Sequence, residues 1–103
     1  EAAEPGTTRT SLMKDRKRER QQGARLRELK AAVTRAEEAI SRNEKRIAEL
    51  ETQLADPATY ADAARMLELN QAYRDEQARQ EGLYDDLEQA ESAYSEAEEE
   101  PKD

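Results

Sequence analysis

The side chains able to do chemistry in this sequence are cations and carboxylates. There is no His and no Cys, so nucleophilic, proton-transfer and thiolate–metal chemistry lose their usual carriers. Neither a G-x-x-x-x-G-K-S/T phosphate loop nor a G-x-G-x-x-G turn occurs. Between Arg9 and Arg35 stand ten basic residues: Arg9, Lys14, Arg16, Lys17, Arg18, Arg20, Arg25, Arg27, Lys30 and Arg35. Asp15, Glu19 and Glu28 oppose them, leaving a net +7. From Glu81 to Asp103 there are ten acidic residues and one basic residue, Lys102, a net −9. The overall charge of −8 conceals a strongly basic end.

On a helix, Lys14, Arg18 and Arg25 fall on one flank of the apolar stripe described below. Arg16, Arg20 and Arg27 fall on the other, and Lys17 faces away from it. Upstream of Leu26 that stripe turns polar, through Gln22, Glu19 and Asp15, so this segment has no apolar face to bury. A basic helix free of packing duties suits a phosphate backbone. The candidate nucleic-acid contacts are therefore Lys14, Arg16, Lys17, Arg18, Arg20, Arg25, Arg27 and Lys30. The segment lacks aromatic rings, so phosphate contact without base readout is expected. The competing reading is a solubilising segment that pairs with Glu96, Glu98, Glu99 and Glu100. The abundant carboxylates read as solvated helix faces; no catalytic residue, cofactor or metal is expected in this segment.

The elements that position these charges follow from composition. The chain has 103 residues, 41% of them charged and 4% aromatic, all Tyr. Its bulky aliphatics are nine Leu, two Ile, one Val and two Met. That supply fits the thin seam between two helices rather than a layered core. Leu26, Leu29, Val33, Ala36, Ile40, Asn43, Ile47, Leu50 and Leu54 step by three and four, the period of a left-handed coiled coil. A weaker series runs through Met66, Leu69, Tyr73, Glu76, Gln80, Leu83, Leu87, Ala90, Tyr94 and Ala97; a shifted stripe through Asn70, Gln77 and Tyr84 competes with it.

Pro57 ends the first helix near Ala55, Asp56 caps a short turn, and Asp62 or Thr59 caps the second helix. The expected fold is all-α: a monomeric two-helix antiparallel coiled-coil hairpin. It comprises a flexible linker at 1–11, a hairpin at 12–97 (helix one 12–55, turn 56–62, helix two 62–97) and an acidic tail at 98–103. Residue numbers facing one another across the seam should sum to about 120. Asn43 then meets Glu76 and Gln77, either as a register-fixing polar layer or merely solvated. Tyr60 is expected to fold over Leu54 or Met66 like a staple. No apolar run approaches the ~20 residues of a membrane span. Without Cys or a visible signal peptide, a cytoplasmic location is expected. A start other than Met reads as a fragment.

Several of these residues stand together in a familiar order. The run Lys14-Asp-Arg-Lys-Arg-Glu-Arg20 leads into Leu26-Arg-Glu-Leu29. The first helix ends in Ile47-Ala-Glu-Leu50-Glu-Thr-Gln-Leu54, followed by Asp56-Pro57-Ala-Thr-Tyr60. The second carries Leu83-Tyr84-Asp-Asp-Leu87 and Tyr94-Ser-Glu-Ala97-Glu-Glu. Over residues 12–99 this resembles the C-terminal coiled-coil domain of ABC-F ATPases of the Uup-like kind. Its most specific part is the turn formed by Leu54, Asp56, Pro57 and Tyr60. Family members often carry Trp where this chain has Ala97. A similar Asp-Pro turn occurs in the N-terminal hairpin of bacterial release factors, but the basic lead-in favours the ABC-F family. The resemblance implies a parent with two ATP-binding cassettes using ATP and Mg, acting on ribosomes or nucleic acid. It also implies a DNA-binding or ribosomal-RNA-binding arm whose contacts are the basic residues of helix one. A protein-interaction or spacer hairpin is the alternative.

Overall fold

The computed structural model describes residues 9–100. Three helices follow one another: α1 (Arg9–Ala55), α2 (Pro57–Tyr60) and α3 (Ala63–Glu99). Helix α1 has 47 residues and is roughly 70 Å long. Helix α3, with 37 residues, runs back along it, and the two long helices make nearly all of the tertiary packing. The fold is the expected all-α hairpin.

Its core is one residue wide. Leu50 is fully buried, with Ile40, Leu69 and Ala97 nearly so. The remaining seam positions of both series are half-buried, from Leu26 to Leu54 on α1 and from Met66 to Tyr94 on α3. Each helix thus hides a single stripe, and its other faces meet water. The competing stripe on α3 is not the seam, because Gln77 and Tyr84 are exposed.

The turn is built from capping bonds. Asp56 adopts an extended backbone, as a residue before Pro must, and its Oδ1 accepts a hydrogen bond from Ala58 N at 3.0 Å. Pro57 then opens α2 at the position where a missing amide costs nothing. The Thr59 hydroxyl donates to the Gln53 carbonyl at 2.6 Å, a second and shorter bond beside the one from Asp56 N at 3.3 Å. Asp62, not Thr59, caps α3, its Oδ1 accepting from Arg65 N at 3.1 Å.

Several expectations need correction. Helix α1 begins at Arg9, so residues 9–11 are helix rather than linker, while 1–8 lie outside the described residues. The turn at 56–62 contains a helical turn of its own, and α3 starts at Ala63. Helix α3 runs on to Glu99, so Glu98 and Glu99 are not tail; 101–103 lie outside the described residues. Tyr60 is no staple. It is 64% exposed, whereas its neighbour Thr59 is 8% exposed. The inward position of α2 goes to the residue whose hydroxyl can satisfy a carbonyl, and Tyr60 turns outward.

Candidate nucleic-acid interface

The register of the hairpin decides which charges stand free. Asn43 Nδ2 donates to the backbone carbonyl of Glu76 at 2.9 Å, so facing residue numbers do sum to about 120. The end of α3 at Glu99 is therefore level with about residue 20 of α1. Exposure agrees with this offset. Residues 12–21 are all exposed, and half-burial resumes at Gln22, Gly23 and Leu26. The first three turns of α1, roughly 18 Å, project beyond the hairpin as a single helix.

Lys14, Arg16, Lys17, Arg18 and Arg20 lie on this projection, and all are exposed. Arg25, Arg27 and Lys30, also exposed, lie beside the last turns of α3. The structure thus brings the eight candidate residues onto one helix but divides them into a free group and a flanked group. The projection from Arg9 to Arg20 carries six cations against Asp15 and Glu19, a net +4. Those two carboxylates fall on the extended seam stripe, so the cations occupy both flanks and the outer face.

Only one of the eight candidate cations has a carboxylate within ion-pair distance among the described residues. Arg25 Nη1 lies 3.6 Å from Glu100 Oε1, and both side chains are well exposed. An exposed pair of this kind contributes at most about 1 kcal/mol. The acidic end of α3 therefore touches the basic segment at its inner boundary and leaves the projection uncovered.

The tyrosines form a different polar set along the hairpin. Tyr73 donates its hydroxyl to Glu51 at 3.0 Å, and Tyr84 donates to Glu44 at 3.3 Å, both across the two helices. The hydrogen bond to Glu51 chiefly holds the Tyr73 hydroxyl above the usual phenol pKa; for Tyr84 the nearby charge of Glu44 does most of this. Tyr94 is raised mainly by loss of solvation, with help from Glu98. The sequence reading missed both cross-helix pairs, because Glu44 and Glu51 stand one heptad apart among many other carboxylates.

Among the described residues, no group of three or more His, Cys, Asp or Glu is placed to hold a metal ion. Nor is any helix there long and apolar enough to cross a membrane. No protein-family model, curated protein or solved structure matches the chain.

Proposed function

We propose that this hairpin is a non-catalytic arm that binds nucleic acid, DNA or ribosomal RNA, through the phosphate backbone. The carrying observation is the projection of α1: an exposed helix, net +4, with only two acidic residues of its own. Lys14 and Arg18 on one flank and Arg16 and Arg20 on the other can face the two phosphate walls of a groove. Lys17 then points between them, and Asp15 and Glu19 point out. Arg25, Arg27 and Lys30 extend the contact along α1. The segment has no aromatic ring to stack on bases and offers few groups to read their edges, so binding is weak and indifferent to sequence.

The resemblance to ABC-F C-terminal domains supports the same reading and adds a setting. In that setting the arm belongs to a cytoplasmic, ribosome-associated or DNA-associated ATPase, whose cassettes bind ATP and Mg elsewhere in the protein. The order of basic lead-in, seam and Asp56-Pro57 turn supports this membership.

The test is binding of the hairpin to duplex DNA and to structured RNA across a salt series. Counterion release requires the logarithm of affinity to fall linearly with the logarithm of salt, with a slope of about −0.9 for each duplex phosphate neutralised. The expected result is a slope of about −4 to −6 with duplex, matching the cations of the projection. Absence of binding even at low salt would leave the spacer or protein-interaction hairpin as the better reading.

A further inference from the structure

We propose that the projecting turns of α1 dock onto the acidic flank of α3 in a second copy of this chain, giving a two-fold, open-end-to-open-end dimer held by charge. The first observation is the row of cations on these turns. None of Lys14, Arg16, Lys17, Arg18 and Arg20 has a carboxylate within 4 Å among the described residues. Leu12 and Met13 on the same turns are 47% and 61% exposed. Leu12 lies on the seam stripe, seven residues before Glu19 and beyond the end of α3.

The second observation is the complementary surface. Between Asp85 and Glu99 helix α3 bears seven acidic residues and no basic one. None of the seven is ion-paired among the described residues, since the contact with Arg25 is made by Glu100. A shallow open groove on this flank is lined by Asp85, Glu88, Gln89, Ser92, Ala93 and Glu96. It extends over eleven residue steps, roughly 16 Å, close to the roughly 18 Å of the projection. Ala93 and Ser92 leave room in it for Leu12 or Met13.

Topology makes the second copy the fitting occupant. The start of α1 and the end of α3 lie at the same end of an antiparallel hairpin. A chain cannot lay its own projection on its own acidic flank, because α3 ends where the projection begins. Two chains related by a two-fold axis across the open end make both contacts at once, as an isologous interface requires. Each hairpin keeps its own seam closed. The contact is small and charge-dominated, so it is weak and sensitive to salt. It occupies the helix turns assigned above to phosphates, so the two associations exclude each other.

Sedimentation of the hairpin without nucleic acid tests this, and failure there leaves the nucleic-acid reading untouched. At about 0.01 M salt, where charges are felt over ~30 Å, the average mass should move towards a dimer as concentration rises. At about 1 M salt, where the range is ~3 Å, it should return to that of one chain, with association at least roughly ten-fold weaker. Two charge-reversed variants sharpen the test. One carries Lys14→Glu, Lys17→Glu and Arg18→Glu; the other carries Asp85→Lys, Glu88→Lys and Glu96→Lys. Each alone should stay a single chain at low salt, while an equimolar mixture should pair, because both contacts are then restored. All six positions are exposed, and circular dichroism confirms that the helices remain. A parent chain that stays single at low salt, association that persists at high salt, or folded variants that do not pair when mixed would each overturn the proposal.

Discussion

Asn43 and Glu76 lie 33 residues apart in sequence and meet in the buried middle of the seam, where the Asn43 amide donates to the Glu76 main-chain carbonyl at 2.9 Å. Asn43 is 3% exposed, so it is a polar layer and not a solvated edge. The layer is incompletely satisfied: Asn43 Oδ1 and Glu76 Oε2 are both buried without a hydrogen-bond partner among the described residues. Buried acceptors of this sort cost stability, while a slipped register would strand Asn43 against an apolar layer. Replacing both residues, Asn43→Leu with Glu76→Leu, should therefore raise stability by about 1–3 kcal/mol. It should also relax the register. Cysteine pairs placed at 40 and 80, and at 40 and 84, read this out: the parent should cross-link only the first pair and the double variant both. A double variant that is no more stable and still joins only the first pair would remove the register role.

The turn makes opposite demands on two adjacent residues. Thr59 is buried and bonds Gln53, while Tyr60 faces water. Thr59→Val keeps the shape but leaves the Gln53 carbonyl only the longer bond from Asp56 N, at 3.3 Å, and should cost about 1 kcal/mol. Tyr60→Ala should cost less than about 0.5 kcal/mol, as exposed substitutions do. Thermal melts of the two variants decide the matter; a larger loss for Tyr60→Ala would mean that its ring packs after all.

Gly82 sits inside α3 with open space where a Cβ would stand. Alanine there removes backbone freedom from the unfolded chain without a clash. Gly82→Ala should raise stability by about 0.5–1 kcal/mol. A melting temperature that falls would show that this turn of α3 needs glycine for a reason other than space.

Two cross-helix hydroxyls make the hairpin sensitive to alkali. In the folded chain the Tyr73 and Tyr84 hydroxyls are held above their ordinary value of 10.0 by Glu51 and Glu44. A pKa raised by folding contributes stability that is complete below the unfolded value. It is lost as pH rises through the folded value, because a tyrosinate cannot donate and repels the carboxylate. Stability should therefore decline above about pH 10. Glu51→Gln with Glu44→Gln should flatten that decline, since an amide accepts the bond without the charge. Urea titrations between pH 8 and 11 that show the same slope in both proteins would contradict this.

Much of the fold can be read from spacing alone. The steps of three and four from Leu26 to Leu54 mark positions that are all buried or half-buried, because only those side chains return to one face of α1. The turn was less legible at Thr59. Judged by apolar area, Tyr60 is the stronger candidate for burial; the inward residue is instead Thr59, whose hydroxyl bonds the Gln53 carbonyl, a pairing that spacing does not display. The start of α1 at Arg9 was obscured by the polar character of its first turns, although no Gly or Pro interrupts 9–22. The candidate interface was legible as a row of cations. The division between Arg20 and Arg25 was not, since it depends on how far α3 reaches.

That division shapes the final prediction. Lys17, Arg18 and Arg20 stand on the projection, Arg25 stands beside Glu100, and none touches the Leu26–Leu54 seam. Changing all four to Gln should abolish binding to duplex DNA at about 0.15 M salt and leave the helical signal and melting temperature unaltered. At lower salt, any residual binding should show a slope shallower by up to about 3–4. The acidic end should act in reverse. Deleting residues 96–103 is a poor probe, because it takes Ala97 out of the seam. Changing Glu96, Glu98, Glu99 and Glu100 to Gln keeps Ala97, frees Arg25 and removes four repelling charges. Affinity for duplex DNA should rise by about ten-fold at low salt and by little at high salt, where screening already mutes those charges. A quadruple basic variant that binds DNA and RNA as well as the parent would exclude the projection as the interface. The hairpin would then be better read as a spacer or a surface for protein partners.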